Sequence, residues 1–297
     1  MSTSTSTDRS AAPPPGAGWT PSPVERERAA YRSARARRSL LASTGSTVVV
    51  LVVAAVLLVT SPGWPRVRDT WFSWDKAVES FPAVLDGLWL NIRLMVVCAV
   101  AIVVLGLTLA VLRTLRGAVF APLRIFATVY VDLFRGLPLL LVLLLLGFGA
   151  PALDLTGLPT SVLFWGATSL VLSYSAYVAE VFRAGIETVH PSQRAAARAL
   201  GLTYAQSLRF VVLPQAVRRV VPALMNDLVS LQKDSGLVSV LGITDAIRAA
   251  QISTAEDFNY TPYVVAGVVF VALTIPMARV ADRVSRRRGQ GPVGGHL

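Results

Sequence analysis

Apolar residues in this chain run in long uninterrupted blocks rather than in the stripes or alternations of a soluble domain. Charge-free stretches extend from Ser39 to Pro65, Leu94 to Leu112, Gly136 to Leu153, Leu155 to Ala179 and Phe258 to Ala278. A bilayer core about 30 Å thick takes about 20 helical residues at about 1.5 Å rise, so each stretch is long enough to span. Inside lipid, only helices and closed barrels satisfy their own backbone. Blocks such as Leu139 to Phe148 lack the alternation of a barrel strand. The pattern predicts an all-α, polytopic membrane helical bundle.

Composition agrees: of 297 residues, 54% are hydrophobic and 15% charged, and the mean hydropathy is +0.58. A soluble globule of that size has too little core to absorb so much apolar sequence. The formal net charge of +11 raises nucleic acid as a partner, but the placement of the basic residues points away from it. Arg26, Arg28, Arg32, Arg35, Arg37 and Arg38 precede the first stretch, Arg113, Arg116 and Arg124 follow the second, Arg183, Arg194, Arg198 and Arg209 follow the fourth, and Arg279, Arg283 and Arg286 to Arg288 end the chain. The loops between are poorer: Arg66, Arg68 and Lys76 stand beside Asp69, Asp75, Glu79 and Asp86, and the turn after the third stretch carries Asp154 alone. Positive loops stay in the cytosol, so both termini are expected there, in a cell membrane, and the number of crossings should be even.

Five visible spans conflict with an even number, which predicts about six transmembrane helices with a less obvious one between Val211 and Gly242. Pro214, Pro222, Asn226, Asp227, Lys233, Asp234 and Gly236 interrupt that segment. Its run from Val220 to Gln232, apart from Asp227, would cover only about 20 Å as helix, which implies a broken helix. Irregular backbone and ionisable groups at membrane depth belong against protein or a watery cavity, so a solute path is expected here. Lys233 and Asp234 could equally mark the outer membrane surface.

The longest loop between spans, residues 187–214, reads as two short helices. Ser192 is positioned to cap a helix from Gln193 to about Leu200, and Gly201 to end it in a left-handed conformation. Thr203 and Gln206 form a T-x-x-Q capping box for the next helix, and Pro214 limits its extension. Such a rigid protrusion suits docking into a partner; it could also rest on membrane lipid through Arg194, Arg198 and Arg209. Cys98 is a lone cysteine inside an apolar run, and with only His190 and His296 no thiolate or imidazole metal centre is expected. Residues 1–38, rich in Ser, Pro, Ala and Arg, read as a disordered basic arm before an uncleaved first span at 39–61.

At the loop the sequence resembles the permease subunits of binding-protein-dependent ABC importers, in particular the polar amino-acid branch. Those permeases carry Glu-Ala-Ala, three residues, Gly and then an aliphatic-Leu-Pro ending; Ala196, Ala197, Gly201, Val212, Leu213 and Pro214 match, and Ala195 stands in the place of the glutamate. GLWLNIRL (Gly87 to Leu94) looks like the entry to the family's core, with Asn91 where threonine is usual. FRGLP (Phe134 to Pro138) resembles FRGTP, with Leu137 departing from it. SYSAYVAEVFRAGI (Ser173 to Ile186) and Leu231 to Gly242 resemble two more of the branch's motifs. Several matches in order across residues 85–286 are far more specific than any one of them.

The resemblance implies a type I importer permease fold, with a core at 85–286 and a tail at 287–297. It implies two permease subunits around a shared path, separate ABC ATPase subunits that bind the ATP and magnesium, an extracellular solute-binding protein and a small polar amino acid as cargo. The chain itself has no GxxxxGKS phosphate loop and is expected to be a non-catalytic subunit with no cofactor of its own. The ATPase-coupling residues would be Pro191, Gln193, Arg194, Ala195, Ala196, Ala197, Gly201, Leu213 and Pro214. Missing its carboxylate at Ala195, the loop would lose a capping box with Ser192.

Candidates for the solute path or gate are Arg135, Ser173, Tyr177, Glu180, Asn226, Asp227, Lys233, Asp234 and Ser235, each of which could also be an interhelical tether or an interfacial charge. FRGLP and the long arm look like glutamate-uptake permeases of high-GC Gram-positive bacteria, so glutamate is preferred over glutamine or a basic amino acid. An ion-driven secondary transporter is the rival, and the sequence contains neither its internal repeat nor a chain of membrane carboxylates.

Overall fold

The computed structural model describes residues 22–287, apart from 116 and 155. The start of the arm, Arg116 and the tail beyond residue 287 lie outside the described residues. Among those described there is no strand, and the chain divides into two units, Met1–Pro65 and Arg66–Leu297.

The first unit holds α1 (Pro23–Val59), which begins well before the expected Ser39. The side chains explain the difference. Ser22 accepts from the Glu25 amide while Glu25 accepts from the Ser22 amide, a reciprocal cap with Pro23 in the first turn. Residues 23–38 are therefore helical, a correction to the expectation of a disordered arm. No residue of its most apolar window is buried within the chain, as suits a helix whose solvent there is lipid.

In the second unit α2 (Trp64–Trp71) leads into α3 (Trp74–Thr114), followed by α4 (Ala121–Gly136), α5 (Leu139–Ala152) and α6 (Val162–Glu187). Among the described residues four helices are long and apolar enough to cross a membrane: α1, the α2–α3 segment, α6 and α11 (Thr261–Arg287). A fifth candidate is the pair α4 and α5, bent by 103° at the Gly136-Leu137-Pro138 turn, where Pro138 cannot continue the helix before it.

The expected sixth is α9 (Leu213–Asp234), whose 22 residues reach about 33 Å. Arg218, Arg219, Asp227, Lys233 and Asp234 keep it out of the apolar class, not its length. The break expected within Val211–Gly242 lies further along than anticipated. Pro222 stays buried inside α9, and the helix tightens into a 3₁₀ turn only at Ser235–Leu241, ending at left-handed Gly242 (φ 83°). α10 (Ala246–Asp257) then returns along α3 and leads into α11.

α6 is the centre of this unit, packed on α3, α4, α5 and α9. Its buried residues Leu170, Tyr174, Val178 and Phe182 join Cys98 and Ile102 of α3, Leu143 of α5 and Leu231 of α9 in one core. Charge-free sequence placed this span at 155–179; the helix runs on to Glu187 because Glu180, Arg183 and Glu187 pair along one face. Val96, Val97, Val100 and Val104 on α3 and Val268 and Val271 on α11 point outward, an apolar surface that belongs in lipid or against another subunit.

Close approach of the helices rests on small residues. A methyl at Gly106 would stand 2.7 Å from Val178 Cγ1, and one at Gly87 would stand 2.6 Å from the Asp245 carbonyl oxygen. The second obstruction is backbone and cannot rotate away, whereas Gly147 faces only the Leu241 side chain. Gly87→Ala is therefore expected to cost about 1–3 kcal/mol and Gly147→Ala less, measured as loss of thermal stability of the purified protein in detergent. Equal losses would show that the α3–α10 contact yields as readily as a leucine.

Candidate functional site

The elbow consists of α7 (Pro191–Ala199), α8 (Tyr204–Ser207), one π-helical turn (Leu208–Val212) and the start of α9. Its first cap is His190, not Ser192: His190 Nδ1 accepts from the Ser192 amide, and Pro191 occupies the first turn. With Ser192 inside the helix, the Ala195 position could not have completed a capping box, so the missing carboxylate costs the fold none. Ala195 and Ala196 are exposed and Ala197 is buried.

The end of α7 is as expected. The Leu202 amide donates to the Ala197 carbonyl (3.1 Å) and the Gly201 amide to Arg198 (2.9 Å), with Gly201 at φ 81°. This paired closure needs the left-handed residue that glycine supplies. Thr203 and Gln206 form the expected reciprocal cap. Leu200, at the tip, is 82% exposed. Leu213 and Pro214 are not a terminus, as the sequence suggested, but the entry to α9. The Leu213 amide donates five residues back to Leu208, and the wide turn falls where Pro214 has no N–H to give. From α8 through the π turn into α9 the backbone is thus one continuous helix, and this rod and α7 are tied to α6 where Arg219 donates to the Thr188 carbonyl and Arg194 Nη2 to Ile186 (2.6 Å).

The path candidates fall into separate groups. Glu180 gathers Arg113 (2.9 Å), Arg183 (2.5 Å) and, more loosely, Arg135 (3.9 Å), so Arg135 and Glu180 belong to one ion network joining α3, α4 and α6. Tyr177 reaches the Arg135 carbonyl at 3.5 Å, the limit of a hydrogen bond. On α9, Asp227 and Asp234 are two turns apart on one face. Asp234 accepts from the Tyr174 hydroxyl at 2.6 Å. Asp227 lines a cavity of about 270 Å³ with Ile102 of α3 and Tyr174 and Val178 of α6, and its Oδ2 is buried without a partner. Ser173 Oγ is also buried and unpartnered. Asn226 and Lys233 are exposed, away from Asp227 and Asp234.

Ser235 is fully buried, and its role is structural. Its carbonyl accepts from Asn91 Nδ2 (3.0 Å), which also donates to Asp245 Oδ2 (3.0 Å), while Asn91 Oδ1 accepts from the Ala246 amide. Asp245 Oδ1 in turn caps α10 through the Arg248 amide. This knot fixes the break after α9 to α3. Sequence reasoning missed Tyr174 and Asp245; a polar residue inside an apolar helix, Asn91, was the signal that a buried partner existed.

Residues 102–290 match the model of the family described as the binding-protein-dependent transport system inner membrane component. The chain belongs to that family. It is a membrane-embedded transport component rather than an enzyme, and the resemblance read at the elbow holds. The chain is 34% identical over 215 residues to the arginine transport system permease protein ArtQ of Bacillus subtilis (strain 168), covering 72% of this chain and 95% of that protein. It is 33% identical over 222 residues to the glutamate/aspartate import permease protein GltK of Escherichia coli O6:H1, covering 73% and 98%. A solved amino acid ABC transporter with histidines aligns at a TM-score of 0.63 and 32% identity over 71% of this chain and 96% of that one. The MetNI methionine transporter, at 22% identity and a TM-score of 0.56, shares the fold.

Because the Asn91 side chain holds three partners in a dry site, Asn91→Ala is expected to lower stability by about 1–3 kcal/mol, whereas Tyr177→Phe should change it by less than about 0.5 kcal/mol. Thermal unfolding of the two variants in the same detergent checks both; a neutral Asn91→Ala would remove the knot's structural role.

Proposed function

We propose that this chain is the permease subunit of an ATP-driven importer that carries polar amino acids inward across the cell membrane. Its partners are a separate ABC ATPase, a second permease of the same or a related kind, and an extracellular solute-binding protein. The observation that carries this reading is the elbow. Two capped helices meet at an obligatory left-handed glycine, with an exposed leucine at the tip and no flexible link between the second helix and α9.

A loop meant only to connect spans needs none of this. Pressed by an ATPase, the elbow would move as one body with α9, which carries Asp227 and Asp234 against α6, so a push below reorients the wall of the cavity above. Nucleotide and magnesium stay on the ATPase, and the elbow faces the cytosol, as the arginines around it require.

Within the polar amino acids, the unpartnered carboxyl oxygen on the path favours a solute whose ammonium group, and not a side-chain carboxylate, enters the cavity. Asp227 offers an unpartnered acceptor in an otherwise apolar wall. Glutamate would want spare cations there, but Arg135 already stands near Glu180 and Lys233 is exposed. Basic and neutral amino acids are therefore preferred to glutamate on these residues alone, since the relatives include arginine, glutamine and glutamate/aspartate permeases.

Uptake of a panel of labelled amino acids, in cells with and without this chain, tests the solute class. Loss of no amino acid on deletion would end the importer reading. In the same cells Asp227→Asn is expected to lower uptake of the preferred cationic solute roughly tenfold; an unchanged rate would remove Asp227 from the path.

Gly201→Val probes the coupling. Nothing lies within 4 Å of an added Cβ there, so only the backbone is affected, by about 1–2 kcal/mol or more for a branched side chain. The variant should insert normally and hydrolyse ATP through its partner while uptake falls. Wild-type uptake would sever the elbow from transport.

A further inference from the structure

Behind the elbow, between the last turns of α3 and α6 and the helices α7 and α8, lies a cavity of about 280 Å³ that the transport reading leaves unused. Arg113, Arg183, Arg194 and Arg198 line it, opposed by one lining carboxylate, Glu187. Arg113 and Arg183 are partly neutralised by Glu180 and Glu187. Arg194 and Arg198 have no acidic partner among the described residues, and the Nε of Arg194 is buried with nothing to donate to. A guanidinium with an unpartnered buried N–H, on a residue that lines a cavity with surplus positive charge, is an unmet demand for an anion. The Tyr204 hydroxyl closes one side by donating to the Thr114 carbonyl at 2.6 Å, and apolar side chains of α6 and the π turn form another.

We propose that this cavity binds a phosphate-bearing anion, held chiefly by Arg194 and Arg198. Phosphate suits the geometry better than a carboxylate does. Its tetrahedrally arranged oxygens accept from guanidinium groups arriving from several directions, whereas the two oxygens of a carboxylate accept best near a single plane. The position, beside the ends of two membrane helices on the elbow side, puts it at the level of the headgroups. Basic pockets between helix ends on the cytosolic side take anionic lipid, and the apolar wall would meet the glycerol and first methylenes. Free phosphate has the same chemistry. Since the cavity is bounded by both the elbow and α6, an occupant would stiffen the joint through which the elbow pushes.

The test uses the whole importer, permease with its ATPase, in nanodiscs of phosphatidylcholine alone or of phosphatidylcholine with phosphatidylglycerol. Native mass spectrometry should find phosphatidylglycerol retained by the wild-type complex and displaced by inorganic phosphate. Arg198→Gln, on the exposed face of α7, is expected to reduce retention about tenfold, the loss of one charge-assisted contact, and Arg198→Lys to restore part of it. If inorganic phosphate raises the thermal midpoint in phosphatidylcholine discs and phosphatidylglycerol adds nothing, the anion comes from solution and the site stands. Retention no greater than that of phosphatidylcholine together with no response to phosphate overturns the proposal, as does undiminished retention by Arg198→Gln. So does a structure of the complex with an acidic side chain of the ATPase seated between Arg194 and Arg198.

Discussion

In hydrocarbon no water stands by to satisfy an amide or a carboxylate, so every polar group carried to membrane depth must bring its partner with it. This constraint shapes most of the second unit. Asn91, alone in an apolar helix, holds Ser235, Asp245 and Ala246 together, and the break in the chain after α9 is possible only because its freed groups are collected there. Glu180 is tolerated near the end of α6 because three arginines from three helices converge on it. Against that background the few unpartnered groups stand out. Among the described residues Ser173 of α6, Arg194 of α7, Asp227 and Gln232 of α9 and Thr254 of α10 each have a buried atom without a partner. Three of the five lie on α6 and α9, the helices to which the elbow is attached.

Close packing turns that attachment into a transmission. A methyl at Gly185 of α6 would overlap the Val220 side chain of α9, so that valine packs directly onto the α6 backbone. The π turn makes the elbow continuous with α9, and Arg219 and Arg194 tie its ends to the last turn of α6. On the coupling reading proposed above, a push that reaches α8 would pass into α9 without a loop in between. The residues that meet across that seam include Tyr174 and Asp234, whose short hydrogen bond would break or lengthen as the seam shifts.

Much of this was legible in the sequence, and for reasons that are local. Long apolar blocks fix membrane helices, and the T-x-x-Q box and Gly201 fix the elbow, because caps and left-handed turns depend on a few adjacent residues. Boundaries were less legible where long-range or reciprocal pairing decides them. Charge-free windows stopped α6 early since they could not count Glu180, Arg183 and Glu187 as partners. Ser192 looked like a cap because a histidine nitrogen is a less familiar acceptor, and Pro214 looked like a terminator because a π turn leaves no trace in composition. The path candidates scattered for the same reason. Arg135, Glu180 and Ser235 each have a partner inside the chain, and only those partners, which the sequence does not print, separate them from Asp227.

The substitution at Ala195 gains a meaning from this geometry. Since His190 caps α7, a carboxylate at 195 would lie on the exposed face and affect docking rather than folding. Without it, α7 presents Arg194 and Arg198 with no acidic partner among the described residues, and both line the cavity behind the elbow. A partner that grips this elbow must then offer shape or negative charge where a glutamate-bearing loop would offer a counter-ion of its own. On the reading proposed above, a carboxylate at 195 would therefore bear on which partner fits the elbow rather than on how the elbow folds.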